Sequence, residues 1–274
     1  MKFIVRFWGT RGTIPCPHPE YMKYGGNTAC VEVVVGEYRI ILDGGTGIRR
    51  LGQALLQNNH REPLTILLSH THFDHIIGLP FFQPLYEKDW PIRLYAGHLG
   101  SKASLRDIFR GMMRSSFFPV SPDAFIAAPQ YHDFQVGEVL HLFPEVTVRT
   151  FALNHPGGAT GYRIEYGGKA FCYLTDVEHQ GDTVNPSLAR FIADADAVAY
   201  DCTFTPEDYL KHQGWGHSTW EAGLRLVNTG GAKRLVIFHH NPDYDDAALD
   251  ALATDVQQAD PSAIISRDGL ELIL

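Results

Sequence analysis

Apolar residues along this chain gather in short runs bounded by glycine, proline and polar turns, a pattern of strands more than of long helices. Residues 2–8 and 31–35 read as strands, separated by the glycine-rich loop GTRGTIPCP and the turn YGGNT. A hairpin turns at Gly36-Glu37 into YRIILD, and the strands LTILLS and PIRLYA follow. The spacing predicts a helix over 102–113 and a loop rich in Phe, Pro and Ser from Ser115 to Gln130. Beyond it come the strands VTVRTFAL, TGYRIEY and AFCYLTD, a helix over 187–193 and the strand AVAYDC. A helix over 218–229, the strand LVIFHH, a helix over 245–258 and a terminal strand pair in AIISRDGLELIL complete the chain. Strands dominate early and mix with helices later, which fits two packed sheets with helices outside them. Apolar strands repeatedly end in a residue able to hold a metal: ILLS before His70, FALN before His155, CYLT before Asp176 and VIF before His239. Such ends meet if they share one edge of the sheets.

Composition narrows the picture. With 274 residues, 45 % apolar and 20 % charged, the chain is long enough to bury a large core without disulfides, and a single domain over 1–274 is expected. Cys16, Cys30, Cys172 and Cys202 lie far apart with no C-x-x-C pair, the usage of reduced, buried thiols. The opening MKFIVRFWGTRG alternates like a strand and no apolar run reaches the ~20 residues needed to span a bilayer, so a cytoplasmic location is expected, with no membrane contact. The formal charge of −8 gives no general attraction for nucleic acid. Any positive field at a site would come from bound cations.

The strongest local signal is His70-Thr-His72-Phe-Asp74-His75, four ligand-type residues directly after an apolar strand. Zinc is held by imidazole nitrogen and carboxylate oxygen. A tight loop at this spacing points His70 and His72 at one position, with Asp74 and His75 facing a second beside it. A helix beginning near Gly78 would hold that geometry. His155, Asp176, and His239 or His240 are the candidates to complete two sites, with Asp176 suited to bridge them. Two cations ~3.5–4 Å apart can share a hydroxide nucleophile and stabilise a displacement.

These motifs, together with Gly44-Gly45-Thr46-Gly47 after Asp43, resemble the metallo-β-lactamase superfamily over nearly the whole chain. The resemblance implies an α+β fold, a four-layered αβ/βα sandwich, with His70, His72 and His155 on one metal. It places Asp74, His75 and His239 on the other, and Asp176 between them. His239 is preferred to His240 because the family's last ligand directly follows its strand. The implied cofactor is two divalent ions, Zn²⁺ first, with Mn²⁺ or Fe²⁺ also accepted by such donors.

Within the superfamily, Gly216-His217-Ser218-Thr219 and Tyr200-Asp201-Cys202-Thr203-Phe204 resemble the branch of ribonuclease Z and cyclic-nucleotide phosphodiesterases. There the histidine acts near the scissile phosphate and a carboxylate orients it. That carboxylate is usually Glu, and here it is the shorter Asp201. The resemblance implies a phosphoric diester hydrolase, in which Asp74 would take a proton from the bridging water and His217, held by Asp201, would give one to the leaving oxygen or bind a phosphoryl oxygen. Ser218 or Thr219 could equally cap the following helix. The long RNA-binding arm of the transfer-RNA enzymes has no room between His155 and Asp176. A small cyclic phosphodiester is therefore the expected partner, and a large nucleic acid is not. Arg11 is read as an anion contact or a structural ion pair. The segment 110–131, with Arg110, Arg114, Phe117, Phe118 and Tyr131, is read as a lid that stacks on a base and binds phosphate, as core, or as a dimer contact; a homodimer is compatible with the branch. The rival readings are an acyl hydrolase (thioesterase or lactonase) on the same fold, and a metal-binding sensor without turnover.

Overall fold

In the computed structural model, which describes residues 2–101 and 103–274, the strands form two mixed seven-stranded sheets. The first contains, side by side, β1 (Phe3–Gly9), β2 (Cys30–Val35), β3 (Tyr38–Leu42), β4 (Leu64–Leu68), β5 (Ile92–Ala96) and β6 (Gln130–Asp133). The second contains β7 (Val139–Phe143), β8 (Val146–Leu153), β9 (Ala159–Tyr166), β10 (Lys169–Leu174), β11 (Ala197–Asp201), β12 (Leu235–Phe238) and β13 (Ile264–Ile265). The last strand, β14 (Glu271–Ile273), returns to the first sheet beside β1.

Alternation along β1 sends Phe3, Val5 and Phe7 into the space between the sheets, where they meet Val148, Phe171, Tyr173 and Phe238 of the second sheet. The parallel central strands are buried on both faces, and their sequences are correspondingly unbroken apolar runs such as Leu64–Leu68. On the outer face of the first sheet lie α1 (Gly47–Gln57), α2 (Phe73–Ile76) and α3 (Leu105–Met112). On the outer face of the second lie α4 (Pro186–Phe191), α6 (Trp220–Gly230) and α7 (Asp246–Ala259), while α5 (Pro206–Lys211) sits in the connection from β11. The result is the expected αβ/βα order of layers.

Several expectations are corrected. The terminal segment is not a strand pair: β13 pairs with β12 in one sheet and β14 with β1 in the other. The crossing is fixed by Ser266 N–H on Ile237 O and Gly269 N–H on Phe7 O, one bond to each sheet. The helix expected near Gly78 starts earlier, at Phe73, so Asp74 and His75 are themselves helical; Gly78 instead precedes a 3₁₀ turn at Leu79–Phe81. The helix expected over 102–113 is Leu105–Met112, with position 102 outside the described residues. Helix α1 escaped the strand-centred reading, although Ile48, Leu51, Gly52 and Leu55 form a buried stripe at helical spacing. Strands β6 and β7 and helix α5 were also unanticipated. All four cysteines are buried thiols, and no described helix is long and apolar enough to cross a membrane.

Candidate metal centre

Both sheets deliver polar residues to one rim. His70 follows β4, His155 follows β8, Asp176 follows β10 and His239 follows β12. Asp176 Oδ1 lies 3.7 Å from both His70 Nε2 and His155 Nε2. Its Oδ2 lies 3.1 Å from His75 Nε2 and 3.3 Å from His239 Nε2. The two oxygens of one carboxylate thus face two separate donor groups. His72 Nδ1 is 3.1 Å from His155 Nε2, on the first side. Asp74 Oδ2 is 3.2 Å from His75 Nε2 and 3.3 Å from His239 Nε2, on the second.

The donor set fits a pair of divalent cations. His70, His72 and His155 present ligand atoms within 4.8 Å of one another, as do Asp74, His75 and His239, and His70, His75 and Asp176. His70 Nε2 is buried without any hydrogen-bond partner, an arrangement that is costly unless something else satisfies it. Burial, with the neighbouring His75 charge, holds the His70 imidazole far below its usual range. His75 goes the other way: burial opposes its charge, but Asp74, Asp176 and Asp43 outweigh it.

An outer ring of partners orients these side chains. His75 Nδ1–H donates to Asp43 Oδ2 at 2.8 Å, and Asp43 also accepts from Ser69 N–H, Ser69 Oγ–H and Tyr173 Oη–H. Tyr173 packs 5.4 Å from Phe238 in the core between the sheets, so the packing of the sandwich reaches the site directly. His155 Nδ1–H donates to Gly216 O at 2.9 Å, and His239 Nδ1–H to Thr203 Oγ1 at 2.9 Å. Thr13 N–H donates to Asp74 Oδ2 at 2.7 Å. The sequence shows Asp43 only next to a glycine run and assigns no role to Ser69, Tyr173 or Thr203; a lone hydroxyl in or just after an apolar strand carries no spacing signal.

His239 and His240 separate cleanly. His239 faces the cluster, whereas His240 Nε2 faces away, 2.8 Å from Ser266 O, with burial first and Arg11 and His239 next in driving its ring down to about 3. His217 lies beside the cluster, its Nδ1–H donating to Asp201 Oδ2 at 2.8 Å and 3.8 Å from Asp176 Oδ1. Burial resists its charge, yet the Asp201 carboxylate and its hydrogen bond lift the ring to about 9. Asp201 reaches His217 despite its short side chain. Thr219 caps α6 through Ala222 N–H, while Ser218 Oγ instead contacts His179 Nδ1 at 2.7 Å and Tyr200 Oη at 3.0 Å.

The cavity over the cluster, about 350 Å³, is lined by Thr13, Thr71, His72, Phe73, Asp74, Asp176 and His217. Arg11 does not line it. It is fully buried, and its guanidinium donates to the carbonyls of Gly25, Asn241 and Tyr244, bracing the GTRG loop from beneath. No residue of 110–131 lines the cavity either. Arg110 borders a separate cleft of about 280 Å³ with Arg106 and Tyr131, and Arg114 and Phe117 are exposed. Phe118 packs edge-on to Phe81, 5.4 Å away, at the margin of the first sheet's outer core.

Fold and site together define a metal-binding hydrolase of the αβ/βα sandwich type. The chain belongs to the metallo-β-lactamase superfamily: the family model described as a beta-lactamase superfamily domain matches residues 38–240. Among curated proteins it is 22 % identical to the ribonuclease Z of Haloarcula marismortui, over 99 % of this chain and 96 % of that one. It is 25 % identical to the ribonuclease Z of Haloferax volcanii, over 99 % and 95 %. Among solved structures, the metallo-beta-lactamase fold protein YhfI of Bacillus subtilis superposes with a TM-score of 0.73 at 17 % identity, over 99 % of this chain and 100 % of that one.

Proposed function

We propose that this protein is a phosphodiesterase that holds two divalent cations, Zn²⁺ by preference, and cleaves a small, cyclic phosphodiester. His70, His72 and His155 would hold one cation, Asp74, His75 and His239 the other, with Asp176 shared. Bound there, such ions neutralise phosphoryl charge and activate water. The observation that carries the phosphodiester reading is the His217–Asp201 pair, 2.8 Å long and set beside Asp176. With Nδ1–H committed to Asp201, His217 has Nε2 left to donate a proton to a departing alkoxide. The Asp201 carboxylate and its hydrogen bond favour the protonated ring, which suits it to that donation. Asp74, which accepts from Thr13 N–H, would orient water and accept its proton. A thioesterase has less use for this pair, because a thiolate leaves without needing a proton.

The small substrate is supported by the cavity's size and by its lining, in which none of the described residues is Lys or Arg. An extended polyanion gains affinity mainly from such side chains. The ribonuclease Z name of the relatives favours RNA as the second reading. The test is a screen of Zn²⁺- and Mn²⁺-loaded protein against bis-p-nitrophenyl phosphate, cyclic mononucleotides, cyclic dinucleotides, ribose cyclic phosphates, a precursor transfer RNA, and thioester and lactone substrates. We expect turnover of the small diesters, lost in Asp74→Asn and reduced at least about a hundredfold in His217→Ala. Acyl turnover that survives His217→Ala, with no diester cleavage, overturns the reading. Efficient cleavage of the precursor RNA alone replaces the substrate.

A further inference from the structure

Glu178 lies two residues beyond Asp176, outside the ligand set, and no part of the reaction above uses it. Its carboxylate accepts two backbone hydrogen bonds from the loop that leads into His217: Gly214 N–H on Oε1 at 2.7 Å and Gly216 N–H on Oε2 at 2.8 Å. Its own backbone is tied to the residue before His155, with Glu178 N–H on Asn154 O at 2.9 Å and Asn154 Nδ2–H on Glu178 O at 3.1 Å. One residue therefore joins three segments, those carrying Asp176, His155 and His217.

The loop is anchored at its ends, by His212 stacked on Phe204 and His217 bonded to Asp201, and its middle has few other bonds. Between His212 and His217, Trp215 N–H turns back on His212 O, and Gly216 O accepts from His155 Nδ1. Gly214 and Gly216 sit at φ 87° and 86°, in the left-handed region that glycine enters freely and that gives the loop many alternatives once released. Gly216 also packs on His155 so closely that an added Cβ would stand 2.2 Å from Nδ1. Any drift of this loop moves the carbonyl that fixes the His155 ring and the backbone that carries His217.

We propose that Glu178 is a positioning residue, a carboxylate latch that pins the 212–217 loop so that Gly216 O orients His155 and His217 stays beside Asp176. Charge-assisted bonds from one carboxylate to two N–H groups are suited to this, being short, strong and directional. The orientation of His155 follows from geometry alone; the catalytic consequence rests on the phosphodiesterase reading above.

The test compares wild type with Glu178→Gln, which keeps length but turns an amide group toward one N–H, so that at most one of the two bonds survives. Glu178→Asp is the second variant, keeping the charge but falling short of both amides. Hydrogen–deuterium exchange of the full chain, metal-free and Zn²⁺-loaded, should show peptides across 212–217 exchanging about tenfold faster or more in both variants, with β10 and β11 unchanged. Competition with a chromophoric chelator should show Zn²⁺ held about tenfold more weakly. With bis-p-nitrophenyl phosphate, kcat should fall about tenfold or more while KM moves less than about threefold. Wild-type exchange across 212–217 in either variant overturns the latch, as does faster exchange with unaltered Zn²⁺ affinity and kcat. A wild-type enzyme inactive on every phosphodiester sinks the functional reading but leaves the exchange and Zn²⁺ measurements to judge the latch.

Discussion

Replacing Asp43 with Asn probes whether the outer ring of the metal centre holds the inner one. Asp43 is completely buried and accepts four hydrogen bonds, three of them on Oδ2: from Ser69 Oγ, Tyr173 Oη and His75 Nδ1. The fourth, on Oδ1, comes from Ser69 N–H at 2.7 Å. An asparagine whose oxygen occupies the Oδ2 position keeps three bonds but turns its NH₂ toward Ser69 N–H. The flipped amide loses the other three instead. The better rotamer therefore strands one buried donor, a cost of about 1–3 kcal/mol. It also exchanges an anionic anchor of His75 for a neutral one, and losing such an anchor weakens metal binding by about 10–100-fold. The assay is Zn²⁺ affinity by chelator competition at fixed pH, with thermal unfolding of the metal-free protein measured in parallel. We expect Zn²⁺ binding to weaken by that factor and the metal-free Tm to fall. A Tm that falls while Zn²⁺ affinity stays within about threefold of wild type refutes the reasoning, because Asp43 would then pin the fold without governing the ligand.

Two other substitutions test separate parts of the structure. Asp268 is held at about 6, burial being the main cause, partly offset by its bonds to Asn27. A carboxyl raised above its unfolded value contributes stability that is complete below about 4 and is lost as pH climbs through 6, here about 3 kcal/mol in all. Asp268→Asn should therefore gain on wild type in Tm between pH 4 and 7, and a Tm difference independent of pH contradicts the assignment. Gly12 has no room for a side chain, since an added Cβ would lie 2.3 Å from His239 Cε1. Gly12→Ala should displace the ring, remove close to one equivalent of metal by elemental analysis and lower hydrolysis about a hundredfold; full metal content with wild-type rates counts against His239 as a ligand.

The four layers were legible because each strand buries one or both faces, and alternation or an unbroken apolar run records which. The short elements were not. Strand β6, Gln130–Asp133, carries no apolar pattern and is a strand only because β5 offers it a partner. The split of the last two strands was hidden for a similar reason: two apolar segments joined by Arg267-Asp268-Gly269 look like a hairpin, and only the placement of Ile237 and Phe7 sends them to different sheets. Arg11 shows the limit for single charges. A conspicuous arginine in a glycine loop invites an anion, yet its acceptors are backbone carbonyls, which no sequence pattern displays.

Three of the rim residues share a backbone feature that His70 and His155 lack. Asp43, Asp176 and His239 all have positive φ, 61°, 55° and 62°; Asp43 and His239 directly follow β3 and β12, and Asp176 is the second residue after β10. A left-handed residue there breaks the strand and turns the following chain away, leaving the side chain at the sheet edge. Glycine would adopt that conformation without strain but has nothing with which to hold a cation or an imidazole. Asp and His enter it more readily than most other residues, at a cost of about 1–2 kcal/mol each. Strain of this kind persists only where surrounding contacts fix it, and here they do: four donors on Asp43, and Thr203 on both the Nδ1 and the carbonyl of His239. At these three positions an apolar run closed by Asp or His is thus the sequence trace of a strand stopped by that residue. The same run closed by Gly would fold more easily and leave the rim empty.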